Sequence, residues 1–283
     1  MTLELTSPPT VVIEPTRGWV SLQWRAVWEY RELLYFLVWR DIKVRYKQTV
    51  LGVVWIVLQP VVSIVVFSLL FGGLLKVPSG DVPYPIFAYA ALLPWNYFAS
   101  SLSRSSTSVV GSAHLITKVY FPRLVIPIAG VFSGLVDFAI AFLVLIGLMV
   151  YYGVAPTMAV VWLPLFLLLT MLTALGFGLW LSALNVRFRD VQYIIPYLIQ
   201  VWMYLTPVIY GSTLIPERFR FLLGLNPMTG VVEGFRWALL GKQLADAQAP
   251  GLLFVISIAI TLLVLVSGTI FFQHTEDTFA DII

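Results

Sequence analysis

The 283-residue chain contains no cysteine and only two histidines. Without cysteine there is no disulfide framework and no thiolate metal site. His114 and His274 stand far apart, with no HExxH or similar ligand spacing, so no metal ligand is assigned. Charge is the larger deficit: charged side chains are 11% of the sequence, against about 25% in a soluble domain, too few to cover a water-facing surface. A phosphate-binding loop is also missing. The nearest approach, Gly234 with Gly241, Lys242 and Gln243, has too long a spacing and lacks the Ser or Thr that would hold magnesium. Carboxylates are scattered, with no nucleophile elbow and no dinucleotide fingerprint. The chain therefore lacks the parts to hydrolyse a nucleotide, and no catalytic residue is assigned.

What remains is 60% hydrophobic, the composition of a polytopic all-α membrane protein. A spanning helix needs about 20 apolar residues. Charge-free intervals of that order are Gln48 to Leu75, Val82 to Ser103, Val191 to Pro216 and Ala247 to Gln273. A fifth interval, Phe138 to Val186, runs 49 residues and must fold back on itself. Gly153 and Pro156 supply its turn. Six transmembrane helices are expected, near 52–75, 84–103, 124–151, 160–184, 192–210 and 252–272. Residues 1–23 hold prolines and charges without an apolar core, so they read as a cytoplasmic tail rather than a signal peptide. An interface helix over 24–48, a transmembrane domain over 49–273 and a C-terminal tail over 274–283 complete the division.

Lys and Arg placement orients the spans. With the N-terminus cytoplasmic, twelve cations fall inside and five outside, among the latter Arg218, Arg220 and Arg236. Both termini are therefore expected in the cytoplasm. Between Trp24 and Lys47, polar residues recur at helical spacing, and the longest apolar run, Leu33 to Trp39, is too short to span. This predicts an amphipathic helix in the cytoplasmic interface. Its crowded cations, Arg40, Lys43, Arg45 and Lys47, either fix topology and touch anionic headgroups or form a docking surface for a cytoplasmic partner.

Asp137 lies within the third span, where a carboxylate costs about 2.5–3.5 kcal/mol on insertion scales. It pairs with a bundle-facing hydroxyl or cation, or it faces a water-filled path. An enzyme would have to rest on it alone. In the fifth span Tyr193, Tyr197, Gln200 and Tyr204 share one helical face and Ile194, Leu198, Val201 and Leu205 another. Rings interleaved with hydrogen-bonding groups suit a sliding sugar chain, whereas helix packing is the plainer account. The fifth loop predicts two short helices, Pro216 to Leu223 and Thr229 to Leu240, broken around Pro227. Their apolar character predicts a re-entrant cap on the outer side. The second loop ends in Tyr120, Phe121, Pro122 and Arg123, an interfacial anchor or a partner contact.

The stretches "RELLYFLVWRDIKVRYKQTVLGVVWIVLQP", "LLPWNYF", "LITKVYFPR", "LNVRFRDV" and "LNPMTGVVEGFRW", taken in order, resemble the permease subunit of type-2 ABC exporters of the O-antigen, capsular polysaccharide and teichoic-acid class. The resemblance implies two permease copies with two copies of a separate ATP-binding subunit, in a bacterial plasma (inner) membrane. ATP and magnesium are then expected in that partner, with no cofactor in this chain and no nucleic acid among its partners. It implies that the interface helix and second loop meet the ATPase, through Arg40, Asp41, Lys43, Arg45, Lys47, His114, Lys118, Tyr120 and Arg123. A channel for a lipid-linked glycan would run past Trp95, Tyr97, Asp137, Tyr197, Gln200 and Tyr204. The short helices resemble an outer gate, with Glu217, Arg218, Asn226, Pro227 and Glu233. Export of a small lipophilic compound is the alternative on the same six-span plan.

Overall fold

The computed structural model describes residues 24–47, 52–241 and 251–279. The expected tail at 1–23 lies outside the described residues, as do the final residues of the C-terminal tail. Among the described residues there are helices and no strand. The interface segment is two helices, α1 (Trp24–Glu29) and α2 (Arg31–Lys47), so the single helix expected there is broken at Tyr30. α3 (Gly52–Phe67) carries Pro60 inside it and runs into a π-helical stretch, Ser68–Leu74. A 28-residue helix, α4 (Tyr84–Gly111), follows, then the short α5 (Ala113–Ile116).

The third apolar segment is two helices, α6 (Val125–Phe132) and α7 (Leu135–Tyr151), parted at Ser133 and Gly134. Gly153 adopts φ +67°, a left-handed conformation that glycine enters without a Cβ clash, and the chain turns back there as expected. α8 (Leu163–Arg187) is preceded by a 3-10 turn, Met158–Trp162, capped by the Thr157 hydroxyl, which accepts from Ala159 N at 3.2 Å. Then come α9 (Val191–Leu205), α10 (Glu217–Gly224), α11 (Pro227–Leu240) and α12 (Leu252–Glu276).

Among the described residues four segments are long and apolar enough to cross a membrane, Val57–Leu74, Val125–Tyr151, Met158–Arg187 and Leu252–Glu276, and α9 is apolar but only 15 residues long. The fold is thus that of an all-α membrane protein. α4 is its centre, packing on α8, α6, α11 and α7. α8 and α12 also pack closely. A Cβ on Gly268 would lie 2.4 Å from the Gly176 carbonyl oxygen, so two backbones meet where only glycine fits. The Thr173 and Thr261 hydroxyls, 3.0 Å apart, join the same two helices. α10 and α11 occupy the places foreseen for short helices, and α11 is buried against α4, α8 and α12.

Candidate functional site

α2 packs on α6, and α6 begins where the 112–124 connection ends, so the two cationic segments share one end of the bundle. Leu37 is the fully buried residue of α2, while Tyr35, Phe36, Trp39 and Val44 are exposed. Lys43 and Lys47 face outward. Arg40 instead forks onto its neighbour Asp41, donating from Nε at 3.1 Å and Nη2 at 2.9 Å. On the connection, His114, Lys118 and Tyr120 are exposed beside a 240 Å³ cavity lined by residues 116–121 and Arg123. Arg123 itself turns inward, its guanidinium 6.0 Å from the ring of Phe279, which is buried just beyond α12. The expected partner surface thus divides. Lys43, Lys47, His114, Lys118 and Tyr120 are presented to the outside, whereas Arg45 and Arg123 are spent on the protein itself.

Arg45 leads to Asp137. This carboxylate sits in the first turn of α7, where the helix N-terminus favours negative charge. One of its oxygens, Oδ2, accepts from Arg45 of α2 and, at 3.1 Å, from Nη1 of Arg104 of α4. Its other oxygen, Oδ1, accepts from the Tyr46 hydroxyl at 2.6 Å. Arg104 is further fixed by donating from Nη2 to Ser100 Oγ at 2.9 Å and from Nε to the Gly130 carbonyl at 3.3 Å. Room for the guanidinium comes from the break between α6 and α7, because a Cβ on Gly134 would stand 2.3 Å from Arg104 Nη2. Burial, and then the Asp137 carboxylate it donates to, push the Tyr46 phenol above the usual tyrosine range. Of the two roles open to Asp137, its contacts describe ion pairing. Arg104 and Tyr46 were not singled out in the sequence, where only the lone buried carboxylate signalled a missing cation.

The other expected channel residues do not share one face. Trp95 and Tyr97 are buried inside the protomer: Trp95 packs on Phe98 with centroids 5.4 Å apart, and Tyr97 donates to the Val131 carbonyl at 3.1 Å. Tyr197, Gln200 and Tyr204 are exposed along α9, with Tyr193. α9 is held to the bundle by its third side, where Ile195 is buried and Trp202 meets Phe98 edge-on at 5.0 Å. Its tyrosine face and its face of Ile194, Leu198, Val201 and Leu205 are both uncovered within one protomer.

At the opposite end two side chains tie α9 to the following helices. Asn226 caps α11, its Oδ1 accepting from Met228 N at 3.1 Å and from Trp202 Nε1 at 2.9 Å, while Nδ2 donates to Thr206 Oγ1 at 2.8 Å. Arg236, 3% exposed, donates to the carbonyls of Pro207 at 2.6 Å, Val208 at 2.6 Å, Tyr210 at 3.0 Å and Phe87 at 3.3 Å. Its guanidinium also lies 3.9 Å over the Phe87 ring. The arginine counted as a loop cation is therefore a core residue. Glu217 and Arg218 lie outside this knot on α10, Glu217 highly exposed and Arg218 4.7 Å over the Phe219 ring. Pro227 opens α11 behind its Asn226 cap, and Glu233 is half-buried on the same helix.

Residues 32–240 match the model of the ABC-2 type transporter family. The chain is 33% identical over 260 residues to the O-antigen export system permease protein RfbA of Myxococcus xanthus, covering 91% of this chain and 97% of that relative. A Klebsiella pneumoniae O-antigen export system permease protein RfbA is 30% identical, covering 89% and 95% of the two chains. The polysialic acid transport protein KpsM of Escherichia coli is 25% identical, over 73% of this chain and 81% of the relative.

Proposed function

Because the chain belongs to the ABC-2 type transporter family, we propose that it is the membrane-spanning subunit of an ATP-driven exporter that moves a lipid-linked polysaccharide out across the bacterial plasma membrane. The observation that carries this is similarity to O-antigen export permeases along nearly the whole of both chains. The sequence supports the division of labour, since it has no phosphate loop of its own. ATP and magnesium belong to a separate cytoplasmic subunit, two copies of which engage two copies of this chain.

Six crossings are proposed, by α3 with its π-helical stretch, α4, α6 with α7, α8, α9 and α12, with both termini in the cytoplasm. α10 and α11 then close the outer side as re-entrant helices, the outer gate. Arg236 supports that placement, since it meets the carbonyl groups that irregular backbone would otherwise leave unpaired at membrane depth. Lys43, Lys47, His114, Lys118 and Tyr120 form the surface on which the ATP-binding subunit bears. The uncovered faces of α9 fit a pair of protomers, with Tyr197, Gln200 and Tyr204 bordering the path and the aliphatic face against the second copy or lipid. Tyrosine rings present flat apolar faces to a sugar, and their hydroxyls with Gln200 offer exchangeable hydrogen bonds. Such a lining lets a chain slide without holding it.

The test is depletion of the chain in its own cells, followed by imaging of surface glycan and assay of lipid-linked glycan in the inner leaflet. Export of glycan predicts loss from the surface and accumulation inside. Unchanged surface glycan with altered sensitivity to lipophilic drugs would select the small-molecule reading instead.

A further inference from the structure

Apolar residues seat one side of the interface segment on the bundle. Leu37 is the fully buried residue of α2, with Leu33, Leu34 and Val38 partly buried beside it. Apolar contact of this kind is non-directional and resists sliding weakly. The C-terminal end of α2 is held differently, by Arg45 and Tyr46 on the Asp137 carboxylate that also holds Arg104. Charge-assisted hydrogen bonds fix direction as well as distance. Three elements distant in sequence, α2, α4 and α7, thereby meet at one carboxyl group. The site is purpose-built, because Gly134 leaves space for Arg104 and the α6–α7 break frees the Gly130 carbonyl that receives it.

We propose that Asp137 is the positioning residue through which α2 moves α4 and α7, a strut that stays closed throughout the transport cycle. The proposal rests on the exporter reading above. Opening the strut would strand the partly buried Arg45 guanidinium and leave Asp137 with Arg104 alone, which disfavours separation. A push on α2 from a partner is therefore delivered to the C-terminal third of α4 and the start of α7, not lost as sliding over α6. Asp137 touches no substrate in this role. It sets how much of the motion of α2 reaches the spans.

The experiment uses the complex purified from membranes with its ATP-binding subunit and reconstituted in vesicles with lipid-linked glycan extracted from the source cells. ATP consumed per glycan delivered is the readout, normalised to assembled complex. Asp137→Asn is expected to raise that ratio about tenfold, toward the upper part of what residues on a coupling route command, and Asp137→Glu to restore it within about threefold. Arg45→Gln should raise it as Asp137→Asn does, and the double variant should be no worse than either alone, the non-additivity of one shared interaction. A native ratio in Asp137→Asn overturns the strut, since a residue needed only for folding lowers the amount of complex and leaves the ratio alone. If Asp137→Asn does not assemble, a native ratio in Arg45→Gln overturns it equally. A native complex that hydrolyses ATP and delivers no glycan overturns the exporter reading, and the strut falls with it.

Discussion

Replacing Arg236 by methionine should be among the most damaging single changes in the protein. The side chain is 3% exposed and donates to four backbone carbonyls, two from 2.6 Å. Hydrogen bonds from a charged donor each contribute about 1.5–3 kcal/mol, but the sum overshoots, because the arginine also lost its hydration on burial. Methionine fills much of the volume and recovers apolar contact with Phe87, so what remains is chiefly the cost of unpaired carbonyls. Each buried acceptor left unsatisfied costs about 1–3 kcal/mol, and with relaxation sparing some of the four the net loss is about 3–5 kcal/mol. For a protein of this size roughly 2–4 °C accompanies each kcal/mol, so melting should fall by about 6–20 °C. Arg236→Lys keeps the charge and loses the fork, and should fall about half as far. The measurement is thermal unfolding of the purified protein in detergent, followed by intrinsic fluorescence. A melting temperature within about 2 °C of native for Arg236→Met, less than 1 kcal/mol on the same scale, would refute the view that this arginine ties α11 to the chain past α9.

Asn226→Ala removes the α11 cap and strands Trp202 Nε1; a loss of about 1–3 kcal/mol is expected in the same melt. Gly268→Ala drives a Cβ to 2.4 Å from the Gly176 carbonyl and should cost about 1–3 kcal/mol, whereas Gly147→Ala meets nothing within 4 Å and should be neutral or better. The Tyr46 phenol is raised by burial and by its bond to Asp137. A raised folded-state value means its contribution is complete below the ordinary tyrosine value of about 10 and fades only at still higher pH. Subtracting the ultraviolet titration of Tyr46→Phe from that of the native protein should therefore show no phenolate from this residue near pH 10, and a phenolate there would contradict the contact.

Much of the helical plan could be read from the sequence, because lipid-facing helices exclude charge and charge-free intervals mark them directly. The turn at Gly153 and the two short helices after α9 were legible for the same reason, in glycine, proline and a change of periodicity. The break between α6 and α7 was not. Ser133 and Gly134 are small residues that an apolar helix tolerates, and what occupies the space at the break is Arg104, 30 positions upstream of Gly134. Site residues divided along the same line. Asp137 stood out because a carboxylate in a span demands a partner, yet nothing in its neighbourhood names Arg45 or Arg104. Arg123 and Arg236 were counted as surface cations since composition records that a charge exists, not which way its side chain turns. Trp95 and Tyr97 failed to join the α9 tyrosines because helical spacing orders residues within one helix and carries no information on how two helices are rotated against each other.

α9 has a consequence for how the protein is made. Its 15 residues reach about 22 Å at 1.5 Å per residue, short of the ~30 Å of hydrocarbon, and the carbonyls just past its end are met by Arg236. Both that arginine and Asn226 are translated after α9, so α9 leaves the ribosome before either has emerged to finish its end. On the proposed six crossings, insertion of this helix is complete only once the chain up to α11 has followed, and the insertion machinery shelters a short span in the interval. Truncation between 206 and 236 should accordingly leave α9 open to quality-control proteolysis, while the four longer apolar segments can settle in lipid as they emerge.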